Sequence, residues 1–166
     1  MTTVPQQYRA RAYKVLGEGG AAFHGGSGNW PLPKGSRPGT WLSVEGEIVP
    51  CENGLHLCRE GDLIRWLGPN IWVAEYDTRE VLEAADKIVV RRARLVAPTG
   101  WNEAVARLFA ADCASYAVRN LRQAGIDVDP RVTDAISVAR KYAKGQISDE
   151  KRSAAGSAAW SAARSA

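Results

Sequence analysis

Between Cys51 and Asp77 the chain reads CENGLHLCREGDLIRWLGPNIWVAEYD, and the spacing of its apolar residues changes twice. Gly54 opens a short stretch, Leu55 to Cys58, that predicts a strand. Asp62 to Leu67 is apolar at helical spacing and stops at Gly68-Pro69, which predicts a short helix. Ile71 to Tyr76 predicts a second strand. The rest of the N-terminal half is arranged around this unit. Residues 1–7 read as a loose lead, and Tyr8 to Leu16 as a strand with Arg9 and Arg11 on one side. Gly17 to Gly39 is rich in glycine and carries Pro31, Pro33 and Pro38, so it predicts a long loop without regular structure. Thr40 to Val49 reads as two strand segments around a turn or bulge at Glu45-Gly46-Glu47. Asp77 to Ala85 reads as a polar connection or short helix. KIVVRRARLV, Lys87 to Val96, is the strongest strand signal, being β-branched-rich and ended by Pro98. Arginines on both of its faces predict an edge strand or a strand beside a cleft.

From Pro98 onward the period becomes helical. Thr99 is placed to cap a helix from Trp101 to Ala124, with Val105, Leu108, Phe109, Cys113 and Tyr116 as its apolar stripe and Gly125 as its stop. Asp129-Pro130 starts a second helix, with Val132, Ile136, Ala139 and Ala143 as its stripe and Gly145 as its end. Ser148 starts a third, rich in Ala and Ser, with Trp160 as its only large apolar side chain. That helix either frays or packs on something outside the chain. The expected fold class is therefore α+β. A small β-rich domain with one short helix spans 1–97, and a helical hairpin with a weak third helix spans 98–166. Leu55, Leu57, Trp72, Val89 and Leu95 are the expected core.

Composition narrows the function classes without choosing one. At 45% hydrophobic residues the chain is an ordinary globular one. No apolar run approaches the ~20 residues that cross a bilayer, so no membrane role is expected. The first residues lack the apolar core of a signal peptide, and three cysteines make no disulfide framework. Both point to a cytoplasm. A net charge of +4 permits contact with nucleic acid but does not require it.

The candidate chemistry is spread thinly. His24, Cys51, His56 and Cys58 are zinc-ligand types, but their spacing lacks the close pairs of a zinc knuckle, so no metal and no cofactor are expected. Cys58 and His56 lie too close along one strand to act as a separately oriented nucleophile and base. No phosphate-cradling Gly-Lys-Ser/Thr ending follows the glycine-rich stretch. Arg9, Arg11, Arg91, Arg92 and Arg94 beside Trp30 or Trp41 would suit phosphate contacts and base stacking, or else serve as edge-strand charges. The long loop carries Phe23, His24 and Trp30. Either it is a recognition surface, or Phe23 and Trp30 tuck inward over the core.

Two resemblances add to this. Ala12-Tyr13-Lys14-Val15, Glu45-Gly46-Glu47-Ile48, Cys51 to Cys58 with its C-x-x-G-[FL]-H-x-C pattern, Ile71 to Tyr76, and Asp86 to Ala93 resemble a domain family of unknown function common in bacteriophages and prophages. The likeness covers Tyr8 to Val96, with a longer loop than that family has. Asp129-Pro130-Arg131, Ala135 to Arg140, Gly145-Gln146-Ile147 and the Ala-rich end are similar to the tails of bacterial toxin-immunity proteins. The order strand, glycine-rich loop, GLHL strand, short helix, strand also resembles the core layout of ADP-ribosyltransferases. It departs from them at Tyr13-Lys14, where their opening Arg or His-Gly is missing, and in placing Glu45 and Glu47 early.

Neither the phage family nor the immunity-protein family brings a known activity with it. The family context, together with the lack of an assembled catalytic constellation in the sequence, leads to the expectation of a phage or prophage accessory protein in a bacterial cytoplasm that works by binding a host or phage protein rather than by catalysis. The binding residues expected are Phe23, His24, Trp30, Trp41, His56, Arg92 and Arg94. The alternatives are an ADP-ribosyltransferase-like nucleotide-binding domain and a nucleic-acid-binding protein. An exposed apolar patch at Trp30, Trp41 or Trp160 would favour the first. A concave pocket with His56 and a carboxylate would favour the nucleotide.

Overall fold

The structure, a computed structural model, describes residues 3–164. It is α+β and divides into two compact units, Met1–Trp101 and Asn102–Ala166.

The first unit holds two antiparallel sheets. β1 (Arg9–Leu16), β2 (Leu42–Ser43), β4 (Asn70–Asp77) and β7 (Arg92–Pro98) form one, in the order β1-β4-β7-β2. β3 (Leu55–Leu57), β5 (Val81–Glu83) and β6 (Ile88–Val90) form the other, in the order β3-β6-β5. An isolated bridge, Tyr13 with Cys58, joins them at the β1 edge. Strand alternation turns Ala12, Leu16, Ala74, Ala93 and Leu95 inward, where Leu57, Ile88, Val90 and Trp30 meet them. Leu55 and Trp72 pack on this cluster, as the alternation predicts, whereas Val89 is fully buried outside it. Val89 lies opposite His56 in register, and it presses on Gly54. A Cβ built on Gly54, whose φ is 149°, would come within 2.2 Å of Val89 Cγ1.

Several expectations change. Lys87 to Val96 is not one edge strand. It breaks at Arg91 into β6 and β7, which belong to different sheets and lie inside each sheet's order. Arg91 makes the break. Its guanidinium donates to the carbonyls of Val44 (3.0 Å) and Gly46 (2.7 Å) and to the Glu80 carboxylate (2.6 Å). Its carbonyl accepts from the Val44 N–H. With that, the charges expected on an edge become cross-links between segments. Asp77 to Ala85 contains a strand, β5, because it pairs with the buried β6. Thr40 to Val49 holds one two-residue strand; the turn at Gly46 and a bridge from Val49 to Asn53 replace the second. The short helix is a 3₁₀ turn, Glu60–Arg65. The lead is not wholly loose, since Val4 is fully buried and its carbonyl accepts from Arg9 Nε and Nη2.

The long loop is stapled to itself and to the sheet. Gly17 N–H donates to Ala21, Ala22 to Gly28, Trp30 to Gly20, and Gly39 to Leu95. At Gly39 the backbone approaches so closely that a Cβ would sit 2.1 Å from the Pro31 carbonyl oxygen. Tight hydrogen bonding of this kind explains why an irregular segment can bury Trp30.

The second unit has α1 (Glu103–Gln123), α2 (Pro130–Ala143) and α3 (Asp149–Ala163), with α2 packed against both others. Asn102, not Thr99, caps α1, accepting from Val105 N–H at 3.0 Å. The Thr99 hydroxyl is engaged with the Ile71 carbonyl and the Trp101 N–H. Gly125, at φ 77°, ends α1 with a Schellman pair, Gly125 to Arg122 and Ile126 to Leu121. Asp129 and Pro130 start α2 as expected. The expected α1 stripe is not a buried one: Val105, Phe109, Cys113 and Tyr116 are exposed, while Ala111 and Val118 face in. Tyr142 of α2 lies under Arg107 of α1 and Arg152 of α3, at 4.9 and 5.2 Å. Among the described residues no helix is long and apolar enough to cross a membrane.

Candidate functional site

The long loop, β3 and the turn before it enclose a cleft of about 570 Å³ in the β-rich unit. Four of the predicted residues meet there: Phe23, His24, Trp30 and His56. Phe23 and His24 sit edge to face, and His24 packs the same way on Trp66. The His24 Nε2–H donates to the Trp66 carbonyl at 2.9 Å. Trp30 lines the cleft from within the core, only 6% exposed. Of the two outcomes open for the loop, Trp30 therefore follows the inward one, while Phe23 remains 39% exposed.

Trp41, Arg92 and Arg94 are elsewhere. Arg92 and Arg94 alternate with the buried Ala93 and Leu95, so they occupy the opposite face of the four-stranded sheet. There Arg9, Arg92 and Arg94 stack over Trp41 at 5.9, 5.7 and 4.9 Å, and Arg94 donates twice to Glu75. Arg9 is near the same carboxylate. Trp41 is 8% exposed, so its ring faces are covered by the protein's own arginines and no base can stack on them. Arg91 is not in this group at all.

Lys14, Lys87, Cys51 and Trp66 complete the cleft and were not among the predicted binding residues. Lys14 is the informative one. It shares the inward face of β1 with Ala12 and Leu16, so a lysine stands at an apolar position of the alternation; that was the available signal. Its Nζ donates to the His56 carbonyl at 2.9 Å and lies 5.0 Å from the Trp30 ring centre. Burial lowers its pKa to about 8, with nearby Cys58 pulling the other way. Burial also pushes the Cys58 thiol up to about 11, against the pull of Lys14. His56 is held below its ordinary value by burial first, then by the charges of Lys14 and Lys87. Its Nε2 accepts from the Cys51 N–H at 2.9 Å. Lys87 Nζ stands over the Trp66 ring at 4.9 Å and 3.3 Å from Cys51 Sγ. The cleft thus sets two amines, each against an indole face, beside a neutral imidazole and a neutral buried thiol.

Two non-glycine residues in the whole described chain have positive φ, His24 (58°) and Cys51 (68°), and both line this cleft. Such backbone costs of order 1–3 kcal/mol each and collects at functional sites. The four zinc-type residues do reach the cleft, yet among the described residues no three His, Cys, Asp or Glu side chains come together as a metal set. Glu52 is the carboxylate on the lining.

A second groove, about 470 Å³, lies along α1 and α2 with Arg119 and Arg122 on its wall. It has none of the strained backbone or buried charge of the first.

Comparison with family models, curated proteins and solved structures finds no match to this chain. The class that fold and cleft define is an α+β protein with a ligand-sized cleft in its β-rich unit.

Proposed function

We propose that the β-rich unit is a binding module for a small anionic ligand bearing a flat ring, of the nucleotide class. The observation that carries this is the meeting of two lysines and two tryptophans, Lys14 with Trp30 and Lys87 with Trp66, in one cleft of ligand size. Lysine ammonium groups suit phosphate as point charges, and Phe23, 39% exposed on the lining, offers a ring for a base. His56 and the carboxylate of Glu52 on the same lining support the nucleotide alternative over a patch built on Trp30 or Trp41, both of which are buried. The layout likeness to ADP-ribosyltransferases supports the ligand class and not their reaction.

Calorimetric titration with a nucleoside, its diphosphate and inorganic phosphate tests this. The diphosphate is expected to bind, the uncharged nucleoside much more weakly, and Lys87→Ala to weaken the diphosphate about tenfold. No heat from any of the three, or an unchanged affinity in Lys87→Ala, overturns the reading.

One observation favours a second reading. Trp160 is 68% and Tyr116 61% exposed in the helical unit. Side chains of this kind anchor protein interfaces. On this reading the protein is a phage or prophage accessory factor of the bacterial cytoplasm that holds a protein partner through its helices. A partner retained from bacterial lysate by the native chain and lost with both Trp160→Ser and Tyr116→Ser supports it; identical retention by native and variant chains rejects it.

A further inference from the structure

We propose that the ε-amino group of Lys14 forms an imine with the carbonyl carbon of a small anionic aldehyde or ketone held in the cleft. The inference rests on the anionic, flat-ring part of the ligand-binding reading above and goes beyond its nucleotide class, because it requires a free aldehyde or ketone that a nucleotide does not carry.

Three observations lead to it. Lys14 lies half-buried on the core face of β1 and opens onto the cleft, yet it has no carboxylate partner among the described residues. Its contacts are a backbone carbonyl and an aromatic face. Burial lowers its pKa to about 8, so more of it is free amine at neutral pH than for an exposed lysine, and the free amine is the form that attacks a carbonyl. Next, Lys87 supplies a second cation on the same lining, which gives the ligand's anionic group a partner other than the reacting amine. Last, the neighbouring Cys58 thiol stays protonated, so it does not compete as a nucleophile.

The step balances without an oxidant or reductant. The Nζ lone pair adds to the carbonyl carbon while the C=O π pair moves to oxygen. One proton leaves nitrogen and one is gained by oxygen through solvent in the open cleft. The remaining N–H proton then passes through solvent to that hydroxyl, the C–O bonding pair leaves with the oxygen as water, and the nitrogen lone pair forms the C=N bond. Hydrolysis reverses it. His56 does not carry the proton, because its Nε2 accepts from Cys51 and a backbone hydrogen bond to Gly54 engages the ring further.

Pyridoxal 5′-phosphate is a suitable probe: a flat ring, a phosphate and an aldehyde. The full chain is mixed with it, reduced with borohydride and digested for mass analysis. Borohydride locks an imine but leaves no stable product from a thiol adduct. One adduct per chain, at Lys14 among the six lysines, is expected. Pyridoxamine 5′-phosphate, which lacks the aldehyde, should compete with labelling and should bind on its own. Lys14→Arg should yield no adduct at position 14 and leave the other five lysines unlabelled, and Lys14→Met, checked by circular dichroism, serves if the arginine disturbs the fold; binding of the pyridoxamine compound is measured on the native chain. Labelling spread over several lysines, or centred on any other, overturns the proposal. Binding of the pyridoxamine compound without a Lys14 adduct overturns the imine and leaves the binding reading standing. Absence of binding by that compound and by nucleotides alike overturns both.

Discussion

Lys14 joins the chemistry of the cleft to the stability of the fold. Its pKa is about 8 in the folded chain against 10.5 for a free lysine, so between those values the unfolded chain holds a proton that the folded one does not. Stability therefore rises with pH across that window. Cys58 acts with the opposite sign. Its thiol titrates near 11 when folded and 9.0 when free, so its contribution is complete below 9.0 and is lost as pH climbs to 11. Tyr76, also raised by burial, adds to the loss above its ordinary value of 10.0. The expected profile climbs from about pH 8 to 9 and levels off as the two oppose each other. Lys14→Met should raise the unfolding free energy at neutral pH by at most roughly 3 kcal/mol, and the gain should vanish once the native amine is neutral in both states. Urea titrations at several pH values check this; a gain that does not depend on pH would remove the burial argument. Trp30 and Leu57 belong to the same scale. Both line the core cluster, so Trp30→Ala should cost about 3–5 and Leu57→Ala about 2–5 kcal/mol in chemical denaturation. A Trp30→Ala protein as stable as the native one would mean that the loop does not cap the core.

At the scale of elements, the backbone positions without a side chain and the helix cap decide most. Gly54 must accept φ 149° and lies against Val89, so Gly54→Ala should destabilise the β3–β6 pair by more than about 2 kcal/mol. A thermal melt reads it, and an unshifted melt would show that β6 can move away. The start of α1 gives a sharper contrast. Asn102→Ala should cost about 1 kcal/mol and fray the first turn, because the Val105 N–H loses its acceptor. Thr99→Val should leave helix content unchanged, since its hydroxyl serves Ile71 and Trp101 in the other unit. Amide exchange at Val105 separates the two variants.

At the scale of the whole chain, the division between the two compact units falls between Trp101 and Asn102. β7 runs through Pro98, Thr99 N–H donates to the Ile71 carbonyl, and the Trp101 indole donates to Gly68 at 2.9 Å. A fragment of residues 1–101 should fold and keep the nucleotide affinity proposed for the cleft. A fragment ending at residue 97 should lose a large part of its stability, because these ties to β4 and to the Gly68 turn go with it. Circular dichroism and a nucleotide titration on both fragments check this, and equal behaviour of the two would place the boundary earlier.

Signals that act between near neighbours were legible in the sequence. Asp129-Pro130, Gly125 and Gly145 mark helix ends because capping involves residues a few positions apart. The strands at Arg9–Leu16, Leu55–Leu57 and Asn70–Asp77 follow from alternation, and the change of character after Pro98 separates β from α. Tertiary structure alone decided the rest. Nothing local in KIVVRRARLV says that Arg91 will be held by Val44, Gly46 and Glu80 and so divide one apolar run between two sheets. Nothing in an irregular glycine-rich loop says that Trp30 will be buried, since loops have no periodicity from which to read a face. The cleft depends on Lys14 reaching His56 across 42 positions and Lys87 reaching Cys51 across 36. Sequence spacing carries the period of a single element, and the apposition of separate elements is set by how their faces pack. Only the packing brings a lysine on an apolar strand face to the lining of the cleft.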